Sequence, residues 1–226
     1  MGPAYSLARG WQWAIGPALA LLLALAPAHA GQAPAGTPAD EARTVLVMGD
    51  SLSAGYGMAA AEGWVSLLAG ELATSHPGWR VVNASISGET TAGGAARIIG
   101  EAWRHRPDVV VIALGANDGL RGLPLAEMRR NLARMIGVSR YAGAEVLLVG
   151  MRMPPNLGAD YTEGFERVYR DLSTLFDVPL LPFLLEPIAL DAGAYQQDDL
   201  HPTAQAQPRI LGHVRPALVP LLDQEL

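Results

Sequence analysis

From Thr44 onward the chain alternates short apolar runs with amphipathic stretches. Runs rich in Val and Leu cover residues 44–48, 80–84, 108–114, 145–150 and 178–183. They mostly lack the polar alternation of a strand with one wet face, and so read as strands buried on both faces of a parallel sheet. Between them, apolar residues recur at a period near 3.6. One stripe is Trp64, Leu67, Leu68 and Leu72; a second is Leu125, Met128, Leu132, Met135 and Ile136; a third is Phe165, Val168, Tyr169, Leu172 and Phe176. Residues 90–106 are expected to be helical despite Gly93-Gly94. The last segment, 204–226, starts as a helix, and Pro216 and Pro220 predict that it stops near Val214 and continues as an irregular tail. Strands alternating with helices predict one three-layer α/β/α domain around a five-stranded parallel sheet, with no internal repeat and no second domain. The pattern fixes the class and leaves the strand order open.

The N-terminus follows a different pattern. Arg9 precedes the apolar run 18–26, and Ala28-His29-Ala30 has the small-x-small form of a cleavage site. Residues 1–30 therefore read as a secretory signal peptide. The apolar run is shorter than the roughly 20 residues needed to span a bilayer, which argues against a retained anchor. Residues 31–42, rich in Ala, Pro and Gly, are expected to be a disordered leader to a domain spanning 43–226.

Composition narrows the chemistry. The chain has no cysteine, so an exported domain must rely on core packing without disulfides, and thiolate catalysis and cysteine zinc sites are closed. The lack of a lipid-attachment cysteine favours a free periplasmic or secreted protein, with no stable membrane insertion once the signal is removed. All 16 Lys+Arg residues are arginine, which closes Schiff-base and lysine-nucleophile mechanisms. The formal net charge of −6, without a basic cluster, argues against a nucleic-acid partner.

Candidate chemistry gathers behind the strands, where ligand sites of open α/β sheets concentrate. Gly49-Asp50-Ser51-Leu52-Ser53 follows the first run and sets Ser51 in a tight turn. A serine needs a base, an orienting acid and donors for a developing oxyanion. His29 lies in the signal segment, His76 and His105 sit at probable helix ends, and His213 falls within or near the last helix. His201 differs, because Asp198-Asp199-Leu200-His201-Pro202 forms a polar turn in which an acid three residues before the histidine can accept its Nδ1 proton. The alternative is that the two aspartates only cap a helix, where acids are favoured; Gly-Asp-Ser-Leu on the same chain favours the catalytic reading. Gly88 and Asn117 lie in the turns after the second and third runs, so with the Ser51 N–H they are candidate oxyanion donors, although Gly and Asn are also ordinary turn residues. Ser53, Ser85 and Ser87 are rival nucleophiles, but no Gly-x-Ser-x-Gly elbow surrounds them. Asp50 reads as a turn-stabilising acceptor in preference to a metal ligand or phosphoacceptor. Leu120, Leu123, Met153 and Pro154 are candidate substrate-binding residues; such side chains line an acyl groove or equally plug the edge of the core.

Taken together, Ser51, Gly88, Asn117 and His201 resemble the four name-giving residues of the GDSL/SGNH hydrolase family, in order. The wording of Gly49–Tyr56, Asn83–Gly88, Asn117–Gly122 and Phe176–Phe183 is similar to the family's bacterial thioesterase/lysophospholipase and arylesterase branch, and the similarity runs from about Thr44 to Leu222. The resemblance implies a flavodoxin-like sheet, a Ser51–His201–Asp198 triad, an oxyanion hole of Ser51, Gly88 and Asn117, and no metal or organic cofactor. It implies an ester or thioester hydrolase acting on small acyl substrates such as lysophospholipids, acyl-CoA-like thioesters or aryl esters. The alternatives are a short-chain carbohydrate or aryl acetylesterase on the same triad, and a non-catalytic exported binding protein. One departure is Ala116, where that branch usually carries a second glycine.

Overall fold

The computed structural model describes residues 42–223. The expected signal peptide, 1–30, and all but the last residue of the expected leader lie outside the described residues. Five strands form one sheet: β1 (Arg43–Gly49), β2 (Trp79–Asn83), β3 (Val109–Ala113), β4 (Glu145–Val149) and β5 (Leu180–Leu181). Their order is β2-β1-β3-β4-β5, and every neighbouring pair is parallel.

Alternation along the strands divides the core in two. Val45, Val47, Val109, Val111, Leu147 and Val149 face the helices α2 (Trp64–Ser75) and α7 (Gln207–Leu222). Leu46, Met48, Val110, Ile112, Val146 and Leu148 face α3 (Thr91–His105), α5 (Leu125–Tyr141) and α6 (Ala159–Phe176). Both faces are apolar because both are covered, which is why the strand sequences show no polar alternation. Two short helices, α1 (Ser51–Ala54) and α4 (Ala116–Leu120), follow β1 and β3 directly.

Two expectations need correction. The run 178–183 contributes only Leu180 and Leu181 to the sheet. Pro179 and Pro182 flank the pair and have no N–H to donate, so β5 is an edge strand that mainly accepts: Leu148 N donates to Pro179 O and Gly150 N to Leu181 O. The final helix does not stop near Val214 but continues to Leu222 through both prolines. The carbonyls that lose their partners belong to Gly212 and Pro216, both exposed residues, so losing those bonds does not strand a buried polar group. Leu218, Leu221 and Leu222 are all buried beyond Val214. Three such side chains contribute roughly 1.5–3 kcal/mol each, enough to offset about 3 kcal/mol for each interior proline.

The register aligns the strand ends that matter. Val47 pairs with Asn83 and Gly49 with Ala113, so the turns after β1, β2 and β3 open on one edge of the sheet. Ala84 N to Val47 O and Ile86 N to Gly49 O extend that alignment past β2.

Candidate active site

The turn after β1 is shaped by two residues. A Cβ at Gly49 would lie 2.7 Å from Ser53 Cβ and 2.9 Å from Ser85 Oγ, so no larger residue fits there. Asp50 caps α1: its Oδ1 accepts the Leu52 N–H at 3.0 Å, as expected of a turn-stabilising acid. Ser51 is thereby the first residue of α1, at the mouth of the sheet edge.

His201 reaches Ser51 from the far end of the chain. Its Nε2 lies 2.9 Å from Ser51 Oγ, and its Nδ1 lies 2.6 Å from Asp198 Oδ2. Asp198 Oδ1 accepts the N–H groups of Leu200 and His201, each at 3.0 Å. The His201 backbone N–H, then the His201 ring, then the Leu200 N–H hold the Asp198 carboxyl well below its ordinary range. The loop is closed by the antiparallel bridge between Tyr195 and Pro202 and by Gln196 N donating to His201 O at 2.7 Å. Gln196 Nε2 also donates to Tyr56 O at 2.9 Å, and the Tyr56 ring packs on the imidazole with centroids 4.3 Å apart. Asp199 adopts φ 55°, the left-handed region that Asp tolerates better than most side chains.

The remaining two turns bring donors. Gly88 has φ 78°, and Arg121 Nη2 donates to its carbonyl at 3.1 Å. Neither the Ser51 nor the Gly88 backbone N–H donates to an acceptor among the described residues. Asn117 is the second residue of α4, and its Nδ2 donates to Glu89 O at 3.1 Å and to Asp50 Oδ2 at 3.4 Å. Gly115 precedes α4 at φ 127°, where a Cβ would sit 2.1 Å from the Tyr169 hydroxyl. Asp118, which sequence reasoning passed over, is buried and takes both the N–H and the hydroxyl of Thr91, tying α4 to the start of α3.

These groups line a cavity of about 720 Å³. Leu120, Met153 and Pro154 line it as expected, and Ala116 adds its methyl beside Asn117. Leu123 does not line it; its backbone N–H donates to Asp118 O and its carbonyl accepts from the Tyr161 hydroxyl. Sequence reasoning missed Tyr56, Phe183, Leu185 and Tyr195 as lining residues, and they add apolar and aromatic side chains to the cavity. Tyr56 and Phe183 were legible only as the ends of blocks that carry the family resemblance; Leu185 and Tyr195 carried no local signal.

None of the rival residues joins the Asp198–His201–Ser51 line. Ser53 is buried and Ser51 is the serine hydrogen-bonded to His201, while Ser87 lies on the cavity wall. His76 pairs with Ser75 and Asp223, His105 with Glu101, and His213 with Phe183 O and Glu186. Among the described residues no group of three or more His, Cys, Asp or Glu side chains is placed to hold a metal ion. An acid, an imidazole and a hydroxyl in one hydrogen-bonded line, facing two backbone N–H groups and an amide, can form and resolve an acyl-serine.

Comparison with known proteins agrees with that chemistry. Residues 47–208 match the model of a family described as GDSL-like Lipase/Acylhydrolase. The chain is 48% identical over 181 residues to "Esterase TesA" of Pseudomonas aeruginosa, covering 80% of this chain and 90% of that one. It is 41% identical over 184 residues to "Thioesterase 1/protease 1/lysophospholipase L1" of Escherichia coli, covering 81% and 87%. Among solved structures, the psychrotrophic esterase EstA from Pseudoalteromonas sp., described as inhibited by monoethylphosphonate, superposes with a TM-score of 0.77 at 36% identity, over 80% of this chain and all of that one.

Proposed function

The chain belongs to the GDSL-like lipase/acylhydrolase family, and on that premise we propose that it hydrolyses acyl esters and thioesters through an acyl-Ser51 intermediate. Ser51 Oγ attacks the acyl carbonyl carbon while His201 Nε2 takes its proton. Asp198 fixes the ring so that Nδ1 carries the hydrogen, and balances the imidazolium that forms. The Ser51 N–H, the Gly88 N–H and Asn117 Nδ2 receive the oxyanion. Collapse of the tetrahedral intermediate expels the alcohol or thiol, which takes the proton from His201. A water then repeats the sequence on the acyl-enzyme and returns free Ser51.

The observation that carries this reading is the unbroken line from Asp198 Oδ2 through His201 to Ser51 Oγ, with contacts of 2.6 and 2.9 Å. The apolar cavity, lined by Leu120, Met153, Pro154, Phe183 and Tyr195, supports medium to long acyl or aryl groups. Small-molecule esters of the kinds named for the relatives, lysophospholipids and acyl thioesters, are the substrate class. No helix among the described residues is long and apolar enough to cross a membrane. With the N-terminal pattern, this supports a periplasmic or secreted enzyme whose mature chain starts at Gly31; N-terminal sequencing of the exported protein tests that.

The test of the mechanism is labelling of purified protein with a fluorophosphonate, alongside hydrolysis of p-nitrophenyl butyrate. Wild type takes one label on Ser51 and loses activity with it. Ser51→Ala takes none and is inactive; an active Ser51→Ala protein overturns the assignment.

A further inference from the structure

Two acids among the described residues are buried, Asp50 and Asp118, and of these only Asp50 lines the cavity. Asp118 has both oxygens engaged by Thr91. Asp50 spends Oδ1 on the Leu52 N–H, and its Oδ2 faces Asn117 Nδ2 at 3.4 Å. The Asn117 amide has two hydrogens. One goes to Glu89 O at 3.1 Å, and the other has the Asp50 carboxylate as its acceptor. That second N–H is the one the proposed mechanism gives to the oxyanion.

We propose that Asp50 is a positioning residue for Asn117, its carboxylate standing in for the oxyanion by holding the second amide N–H in place and releasing it as charge develops on the substrate. The inference rests on the oxyanion role proposed for Asn117. A hydrogen bond of 3.4 Å is weak, so giving it up costs little, yet a carboxylate is strong enough to orient a donor in a buried site. The donor is thus aimed before the reaction begins, which is what makes an oxyanion hole effective.

The titratable groups facing Asp50 are His201, from the Tyr195–Pro202 loop, and Tyr169, from α6. Burial pushes the Asp50 carboxyl up to about 6, against the pull of the Leu52 N–H, the His201 charge and Asn117. It is therefore ionised at neutral pH, and the imidazolium formed at His201 in the reacting state faces a second negative group besides Asp198.

A cap alone does not need a carboxylate, because Asn caps helices as well as Asp does. Asn nevertheless has a single acceptor oxygen. With that oxygen on the Leu52 N–H, its own NH₂ meets the NH₂ of Asn117, donor against donor. Asp50→Asn thus keeps the cap and breaks the hold on Asn117.

The experiment measures kcat and KM on p-nitrophenyl butyrate for wild type, Asp50→Asn, Asn117→Ala and the double variant, with thermal unfolding to confirm folding. The expected result is a loss in kcat on the order of 10²-fold for Asp50→Asn, with KM within about threefold, since one oxyanion donor is worth about 10²–10³. The double variant is expected to match Asn117→Ala, because Asp50 acts through that amide. A loss below tenfold in Asp50→Asn, or a double variant that shows the product of the two single losses, overturns the proposal. Should Asp50→Asn not fold, Asp50→Ser, which keeps a capping oxygen but is too short to reach Asn117, carries the same expected losses and the same overturning results. Activity in Ser51→Ala removes the mechanism as a whole; an inactive Ser51→Ala beside a fully active Asp50→Asn removes only this inference.

Discussion

His201 Nε2 lies 2.9 Å from Ser51 Oγ although 150 residues separate the two in sequence. Ser51 is set by the cap of a four-residue helix after β1, which lies between β2 and β3. His201 is set by a small closed loop that no strand of the sheet anchors, held by the Tyr195–Pro202 bridge and by Gln196 and Tyr56. That hydrogen bond, with the Gln196 and His201 contacts to Tyr56 beside it, joins two pieces far apart in sequence.

Asp198 is the exposed end of that line, and its work lies in holding the imidazole's tautomer. In Asp198→Asn the ring loses its carboxylate partner, and kcat on p-nitrophenyl butyrate is expected to fall by about 10³–10⁴ at pH 8. The carboxyl is held low by the His201 backbone N–H first and the ring second. A depressed acid contributes above its ordinary value and loses that contribution only as pH falls toward the lowered one. Protonation of Asp198 therefore does not set the acid limb of the wild-type profile at pH 5–7, and an infrared signal of Asp198 protonation that tracks the loss of activity in that range would contradict this.

Asp50 behaves in the opposite sense. Its carboxyl is raised from 3.8 to about 6 by burial, so the folded state holds the proton more tightly than the unfolded one. Its contribution to stability is fully present below about pH 4 and is lost as pH rises through 6. The full shift corresponds to about 3 kcal/mol. Asp50→Asn gives up part of that gain to the clash with Asn117. The variant is expected to unfold later than wild type at pH 7.5, by roughly 1–2 kcal/mol, and earlier by about as much at pH 4, where the wild-type carboxyl is protonated and only the clash remains. Equal midpoints for the two proteins at pH 7.5 would show that the buried carboxylate carries no such cost.

Gly115 is demanded twice, by φ 127° and by the Tyr169 hydroxyl 2.1 Å from any Cβ. Tyr169 is buried and donates to Leu114 O at 2.9 Å, so it has no room to yield. Gly115→Ala is expected to destabilise by about 2–4 kcal/mol. It is also expected to displace the adjacent start of α4, with Asn117, and to cut kcat more than KM. Chemical denaturation and steady-state kinetics on one preparation read both effects.

The cavity predicts a preference for longer acyl groups. Each methylene buried against Leu120, Met153 or Phe183 contributes up to about 0.8 kcal/mol, or about fourfold in kcat/KM. Across p-nitrophenyl acetate, butyrate, hexanoate and octanoate the value is expected to climb, and Leu120→Asp is expected to lower the octanoate value far more than the acetate value. A flat or acetate-peaked series would instead favour short-acyl hydrolysis on the same residues.

Much of this was legible in the sequence, for a reason specific to parallel sheets. β1, β3 and β4 are buried on both faces, so continuous Val and Leu runs mark them, and parallel strands put every turn after a strand on one edge. Ser51, Gly88 and Asn117 could therefore be grouped before any coordinates. What was not legible depends on packing between distant segments. The prolines of α7 look like helix breakers until Leu218, Leu221 and Leu222 are seen buried and the freed carbonyls exposed. Apolar content made 178–183 look like a full strand, while Pro179 and Pro182 reduced it to two residues. Leu123 and Met153 both looked like wall residues; only the path of the backbone past Tyr161 separates them.

The element order also gives the sheet a timetable. Synthesis proceeds from the N-terminus at about 5–20 residues per second, so β1 and Ser51 are made long before the Tyr195–Pro202 loop. Until that loop exists, the chain carries a hydroxyl with neither base nor acid beside it. Under the proposed mechanism, hydrolytic capacity arrives all at once, near the end of translation, and a fragment cut short before His201 is chemically inert toward the cell's own esters.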